Sequence, residues 1–583
     1  MKPSRHVIIA GLLLVGFGGF AAPSGAQNKV PKPPPSTQQQ DPGFGETVNV
    51  NVVNIDVYVT DKQGKRVTGL TRDDFQIFEN KRPVEITNFY AVEEGQSVTP
   101  AAEAAQQAAP APAPPPGAAV VQRPRVPEDQ RLRLIVYIDN FNLRPFNRNR
   151  VMRELRAFIG TKLTRDDQIM LVTYDRELHV RRTFTSDASL VASAMLELEK
   201  ISAQAVHQDS ERRDVLDRIE ESRSVSEAET AARSYAESMY NDLSFSISAL
   251  KEIVNSLAGV PGRKAVLYVS DGLQMIAGQD VFYAIQNKYG ESSTSLTQQF
   301  QYDTSRRFTE LTAQANANRI TFYTIDAAGL RSYDSNSAQN RGPGSGSPGL
   351  STLIDSVNIS NLQAPLQKLA EDTGGVAILN ANQITPQLER IALDFGTYYS
   401  LGYTPHHYGD GRYYKHEVRL KKKEKGYTVR YREGYRDKST DSRMTDGTVA
   451  ALSFPYEENP LGITMTFGKP TPRPDGFYVV PVEVKIPIGK LVLMPRGESH
   501  DANVRLFVAA IDSTGNTSDV QQTPVPISVA AADIAAAAGK HYVYTVSLLM
   551  RAGDQRVAIG VRDDIASQAS FISGGLRVGA AAR

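Results

Sequence analysis

Three aspartates stand where apolar runs end. Asp139 follows Leu132–Ile138, Asp271 lies in Ser270-Asp271-Gly272 after Val266–Val269, and Asp326 follows Ile320–Ile325. In an open α/β sheet, ligands gather beyond the carboxyl ends of the strands. Carboxylates there are hard oxygen donors of the kind that Mg2+ and Ca2+ take. The same side chains also cap helices and hold loops, and the residues alone leave both uses open. Nucleophilic chemistry has little support. There is no Gly-x-Ser-x-Gly elbow, no His-Glu-x-x-His and no Walker A sequence. The chain has no Cys, which excludes disulfides, thiolate metal sites and Cys nucleophiles. His406-His407 with His416 could form a metal cluster, but they flank a Gly409-Asp410-Gly411 turn and read as exposed turn histidines. Asp512 to Asp519 lacks EF-hand spacing and reads as a hairpin turn, not a calcium loop. Lys421-Lys422-Lys423 reads as a solvated or edge-blocking strand end.

The elements that must position the three aspartates follow from periodicity. Leu132–Ile138 is a short, nearly continuous apolar run, as in strands buried on both faces of a parallel sheet. Val151, Met152, Leu155, Phe158 and Ile159 share one face of a helix. Further strands are expected at 169–172, 180–184 (an edge), 266–269, 320–325 and 376–379, with helices between them. This alternation over 131–396 predicts a doubly wound α/β domain on a mostly parallel sheet. A charged helical insertion, 201–242, interrupts it and leads into the stripe Leu243, Ile247, Leu250, Val254 and Leu257. It reads as one long helix with a solvated far end, or as a protrusion that docks a partner. A Gly/Ser-rich loop is expected at 332–350.

The flanks differ in texture. Lys2, Arg5 and His6 precede the apolar run Val7–Phe20 and the small residues Ser24-Gly25-Ala26. That is the pattern of a cleaved export leader, 1–26, and it predicts a periplasmic or secreted protein with no membrane span after cleavage. A Pro/Gln-rich linker at 27–47 and an Ala/Pro-rich one at 95–130 bound an N-terminal β segment, 48–94. A second β segment, 397–435, follows the α/β domain. Neither segment buries a core alone, so the two are expected to pair as a β-sandwich with the α/β domain inserted between them. A linker at 436–449 leads to 450–583, where short strands punctuated by turns argue a further β-sandwich. At 583 residues the chain has room for about four domains. With 65 Lys+Arg against 64 Asp+Glu it has no basic field, so nucleic acid is not an expected partner.

The run Val-Thr-Gly-Leu-Thr-Arg-Asp-Asp-Phe (67–75), the run Pro-Gly-Arg-Lys-Ala-Val-Leu-Tyr-Val-Ser-Asp-Gly (261–272) and Arg-Glu-Gly-Tyr (432–435) carry a resemblance. Over about 48–435 the chain resembles the von Willebrand factor A-related proteins of the acidobacterial type. The resemblance implies a metal-ion-dependent adhesion site. That device uses Asp-x-Ser-x-Ser after the first strand, a Thr from a second loop and an Asp from a third. An open coordination position is then filled by a partner's carboxylate. Asp139 and Asp271 match the two acids. Phe141 and Leu143 stand at the Ser positions and cannot ligate, Asn140 and Asn142 are out of register, and Ser244 is the nearest hydroxyl to the Thr position. The implied site is therefore degenerate, with Mg or Ca the metals it would take and no cofactor certain. The implied function is non-enzymatic binding of a protein or cell-surface ligand. A metal-assisted hydrolase and a purely structural envelope protein are the alternatives.

Overall fold

The computed structural model describes residues 52–93, 96–97, 131–162, 167–201, 205–331, 348–421, 426–454, 456 and 458–579. The expected leader 1–26, the linker 27–47, nearly all of the 95–130 linker, Lys422, Lys423 and most of the 332–350 loop lie outside the described residues. The chain forms two compact units, one spanning Asn51–Asp446 and the other containing Gly447–Arg583.

The first unit is built on a six-stranded sheet. Its strands are β1 (Leu132–Asp139), β2 (Gln168–Tyr174), β3 (Leu178–Thr185), β4 (Arg263–Ser270), β5 (Ile320–Asp326) and β6 (Ala377–Ile378). Their order is β3-β2-β1-β4-β5-β6, and every pairing is parallel except that of the edge strand β3. All eight residues of β1 and all eight of β4 are buried, because helices cover both faces of the sheet. The helices in chain order are α1 (Pro145–Lys162), α2 (Ala188–Leu198), α3 (Ala205–Glu221), α4 (Val225–Ser256), α5 (Gln279–Tyr289), α6 (Ser305–Ala317), α7 (Pro348–Asp372) and α8 (Thr385–Gly396). On one face, Val151, Met152, Leu155 and Phe158 of α1 and Ile391 of α8 join Leu134, Val136 and Leu267 of the sheet in one core. The fold is thus mixed α/β on a mostly parallel sheet. The order reverses between β1 and β4, so the crevice outside their carboxyl ends is the topological switch point where such sheets bind ligands.

Three features differ from the sequence expectation. The last strand contracts to Ala377–Ile378. The charged insertion is two helices, α3 and α4, separated at Ser222–Ser224, with Ser224 capping α4 through the amide of Glu227. Helix α7 begins at Pro348, inside the segment expected as a loop, and runs through Pro365. Pro365 has no N–H and releases the carbonyl four residues back, Asn361 O. That carbonyl accepts instead from Met275 N at 3.1 Å, and Leu362 O accepts from Leu273 N at 3.2 Å. The proline thereby anchors the loop that follows β4.

Two further sheets complete the unit. In one, Val53–Thr60 lies between Thr428–Arg430 and Tyr398–Tyr403, and the latter pairs on with Asn88–Glu93. In the other, Phe75–Glu79 lies between Tyr413–Leu420 and Arg82–Val84. They share a core that includes Ile55, Val57, Phe75, Ile77, Leu401 and Tyr403. Asp394 of α8, 1% exposed, joins this region to the central sheet. It accepts two bonds from Arg430 Nη2 at 2.9 and 3.0 Å and one from Tyr323 OH at 3.0 Å, and it pairs with Arg66.

The second unit holds antiparallel strands, among them Tyr478–Pro487 paired with His541–Met550 and Ser499–Asp512 paired with Gly553–Asp563. Alternate residues of these strands, among them Val480, Val482, Val484, Val504, Leu506, Val557 and Ile559, form one core. Asp512 Oδ1 accepts from the amides of Thr514 and Asn516, which makes 512–516 a self-capped turn.

Candidate functional site

The switch point brings Asp139 and Asp271 to the ends of the adjacent strands β1 and β4. Asp139 is 1% exposed and fully engaged. Its Oδ2 accepts from Tyr268 OH at 2.5 Å, Asn142 Nδ2 at 2.9 Å and Ser270 Oγ at 3.5 Å, and its Oδ1 accepts from Asn142 N at 3.2 Å. The last bond caps a short helical turn at Asn140–Asn142. Burial pushes the Asp139 carboxyl up to about 6, against the opposing pull of its hydrogen bonds from Tyr268 and Asn142.

Asp271 caps a helix that belongs to another strand's crossover. Its Oδ2 accepts from Arg144 N at 2.8 Å, the amide just before α1, and both its oxygens lie 3.0 Å from Asn147 Nδ2. Arg144 Nη1 is 3.6 Å from Asp271 Oδ2. The same guanidinium makes a two-pronged pair with Asp209 of α3, 2.7 Å on each prong. Burial raises the Asp271 carboxyl, and the Arg144 amide and charge offset part of that rise. Asp326, the third aspartate, accepts from Arg331 Nη2 at 2.8 Å and Gln363 Nε2 at 2.8 Å, and Arg331 also donates to Asp271 O.

The remaining candidates fall around this pair. Phe141 (3% exposed) packs edge-on to Tyr174, and Leu143 (0%) belongs to the sheet core. Asn140 accepts from Arg148 Nη1 at 2.6 Å. The Ser244 hydroxyl turns back to Tyr240 O of its own helix at 2.6 Å, whereas Ser246 lies 3.3 Å from Asn142 Nδ2. Sequence reading put Asn142 out of register and passed over Arg144, Asn147, Tyr268 and Asp209. Tyr268 had a signal, because in register with Tyr137 it sits on the strand neighbouring Asp139. Asp209 had none, since only the docking of α3 brings it there. Of the histidines, His406 is exposed, while His416 is 4% exposed with burial pushing its ring down to about 3, so it is no turn histidine.

No protein-family model matches the chain, and no curated protein matches it. Solved structures do. An aerotolerance-related membrane protein from Bacteroides fragilis matches at 12% identity, over 45% of this chain and 98% of that one, with a TM-score of 0.22. The von Willebrand factor domain of the type V pili tip protein Mfa5 from Porphyromonas gingivalis matches at 12%, over 45% and 94%, with a TM-score of 0.22. The von Willebrand factor type A protein from Catenulispora acidiphila matches at 9%, over 77% and 66%, with a TM-score of 0.21. Likeness at these scores carries no functional argument, and what the site can do follows from its own geometry. Among the described residues, no helix is long and apolar enough to cross a membrane.

The residues at the switch point do not fit a divalent cation. The two Ser positions are apolar and buried, and a guanidinium stands beside Asp271. Arg144 supplies fixed positive charge between Asp209 and Asp271, and a metal ion brought there would meet like charge.

Proposed function

We propose that the protein is a non-enzymatic interaction protein that binds a protein or cell-surface ligand through the rim above β1 and β4, with no metal ion at Asp139 and Asp271. The observation that carries this reading is the Arg144 bridge, which sets a positive charge beside Asp271 from within the chain and ties it to Asp209 of α3. Apolar side chains project beside it. Phe146, next to the Asp271 partner Asn147, is 79% exposed, and Leu330, next to Arg331, is 65% exposed. Exposed apolar groups rimmed by polar ones mark protein interaction sites where they form a contiguous patch. The leader-like segment 1–26 supports an exported, periplasmic or secreted location.

The test is a photo-crosslinking residue placed at Phe146, with a control at Val543, in cells of the source organism. A discrete adduct is expected from position 146 alone. Equal labelling from both positions overturns the rim as the binding surface. Hydrolysis of generic ester or phosphate substrates that disappears in Asp271→Ala would establish an enzyme instead. Calorimetric titration with magnesium and calcium is expected to give the same heats for the natural protein and for Asp139→Ala.

A further inference from the structure

A second constellation of ligating side chains lies in the flanking strands of the first unit, and the rim does not use it. His407 and Asp410 sit in the loop between Tyr398–Tyr403 and Tyr413–Leu420, and Asp437 directly follows the strand Gly434–Arg436. One ligand atom from each of the three lies within 4.8 Å of the others. The Asp437 side chain is fully buried, the His407 side chain is 19% exposed, and the Asp410 side chain, at 30%, borders solvent and accepts from Arg412 N at 2.9 Å and from Tyr414 OH, bonds that an ion would share or displace. The loop is fixed onto Asp437 at both backbone atoms. Gly411 N donates to Asp437 O at 2.8 Å, and Asp437 N donates to Arg412 O at 3.0 Å. Gly409 and Gly411, at φ +63° and +72°, give the loop the left-handed turns it needs.

The imidazole is held as a ligand would be. One ring face stacks on Tyr414 with centroids 3.6 Å apart and planes 10° from parallel. Nε2 lies 3.3 Å from Glu79 Oε2, and Glu79 is itself oriented by Tyr403 OH and Tyr435 OH, both donating to Oε1 at 2.9 Å. Ligating histidines characteristically donate their second ring N–H to a carboxylate, which fixes the tautomer and leaves the other nitrogen basic. Here that other nitrogen, Nδ1, faces Asp437 Oδ2 at 2.9 Å. The contact is satisfied by a ring proton on Nδ1 or by a cation shared between the two atoms. Donors about 2.0–2.1 Å from one ion are about 2.9 Å apart at a right angle and about 3.3 Å apart at zinc's tetrahedral angle, so a tetrahedral ion would part this pair by about 0.4 Å.

We propose that His407, Asp410 and Asp437 bind one divalent first-row metal ion, with Glu79 as the carboxylate that orients the histidine and water completing the solvent side at Asp410. One imidazole with two carboxylates suits zinc or manganese better than the all-oxygen shell of calcium. The ion would tie the 404–412 loop to the segment after Gly434–Arg436 and, through His407, to the strand that carries Glu79. The competing occupant is a proton on Nδ1, donated to Asp437 Oδ2, with Tyr435 OH 3.3 Å from Nε2.

Chelator-stripped protein titrated with zinc chloride by calorimetry, with parallel thermal unfolding, decides between them. The expected result is one equivalent bound at micromolar or tighter affinity and a rise in Tm that depends on zinc concentration. Asp410→Asn, at the exposed ligand, is expected to keep the fold and weaken zinc binding at least tenfold. His407→Gln should abolish it. Glu79→Gln should weaken it 10–100-fold, on the scale of other groups that orient ligands. Absence of zinc heat with an unmoved Tm, or unchanged binding in both Asp410→Asn and His407→Gln, overturns the metal and leaves the proton. Neither result bears on the rim, which the Asp139→Ala titration tests separately.

Discussion

Asp139 holds its proton more tightly folded than unfolded, because burial raises its carboxyl from 3.8 to about 6. Between those values the folded state binds more protons than the unfolded chain. Stability from this group is therefore present below about pH 4 and lost as pH rises toward 6. At about 1.4 kcal/mol per pKa unit the loss is about 2–3 kcal/mol. Urea unfolding from pH 4 to 7 is expected to show this decline in the natural protein and a flatter profile in Asp139→Asn, and parallel profiles would refute it. Gly272 gives a second test at this scale. Its φ is +113°, and a Cβ there would stand 2.8 Å from both Leu362 Cβ and Leu362 O. Gly272→Ala is expected to cost about 1–3 kcal/mol, read as a lower urea midpoint, with loosening of the loop around Asp271. The places of Asp139 and Asp271 were legible because a carboxylate at the end of an apolar run marks a strand terminus. Their partners were not, because Asn142, Arg144 and Asn147 reach them only once the chain has turned into α1.

Helix α3 shows how a charged face can be buried. Its Arg212, 8% exposed, donates to Asp280 Oδ2 at 2.6 Å and to Asp355 Oδ1 at 3.3 Å, on α5 and α7. Asp280 is 0% exposed. Removing the guanidinium strands a buried carboxylate, so Arg212→Ala is expected to lower stability by about 3–5 kcal/mol. Replacing Arg212 and Asp280 together by Met and Leu should restore most of it. Thermal unfolding of the single and double variants checks this, and an Arg212→Ala protein as stable as the natural one would show that α3 is not docked in solution. Periodicity could not show this docking. A run such as Glu211-Arg212-Arg213 reads as solvated, and only the partners on α5 and α7 reveal which arginine turns inward. Only the first turns of helix α7 were hidden, because the Gly/Ser-rich run to Leu350 reads as a loop, whereas Leu362, Leu366, Leu369 and Ala370 mark the rest of the helix across Pro365. The parallel strands were plain, because burial on both faces leaves a signature that needs no partner to be read.

At the scale of the first unit, Asp394 gathers Arg66, Arg430 and Tyr323 at one buried carboxylate. Nearby, Arg263 of β4 pairs with Asp56 at 3.2 Å, bonds Tyr58 OH at 3.0 Å and lies 3.7 Å over the Tyr398 ring. Asp394→Asn leaves Arg66 and the partly buried Arg430 without their anion. It is expected to cost about 3–5 kcal/mol and to split the urea transition of the first unit into two steps, one for the central sheet and one for the flanking strands. A single transition at an unchanged midpoint would show that the carboxylate does not couple them. None of these ionic partners was visible in sequence, where Arg66, Arg263, Asp394 and Arg430 look like ordinary surface charges. The ladder that sets Val53 opposite Tyr403 has a consequence for synthesis. The first strand leaves the ribosome with no mate, and the whole α/β layer must be made before one arrives. Until then Ile55 and Val57 travel uncovered, so a nascent chain stopped before Tyr398 should cling to chaperones or aggregate, however well its central sheet has already formed.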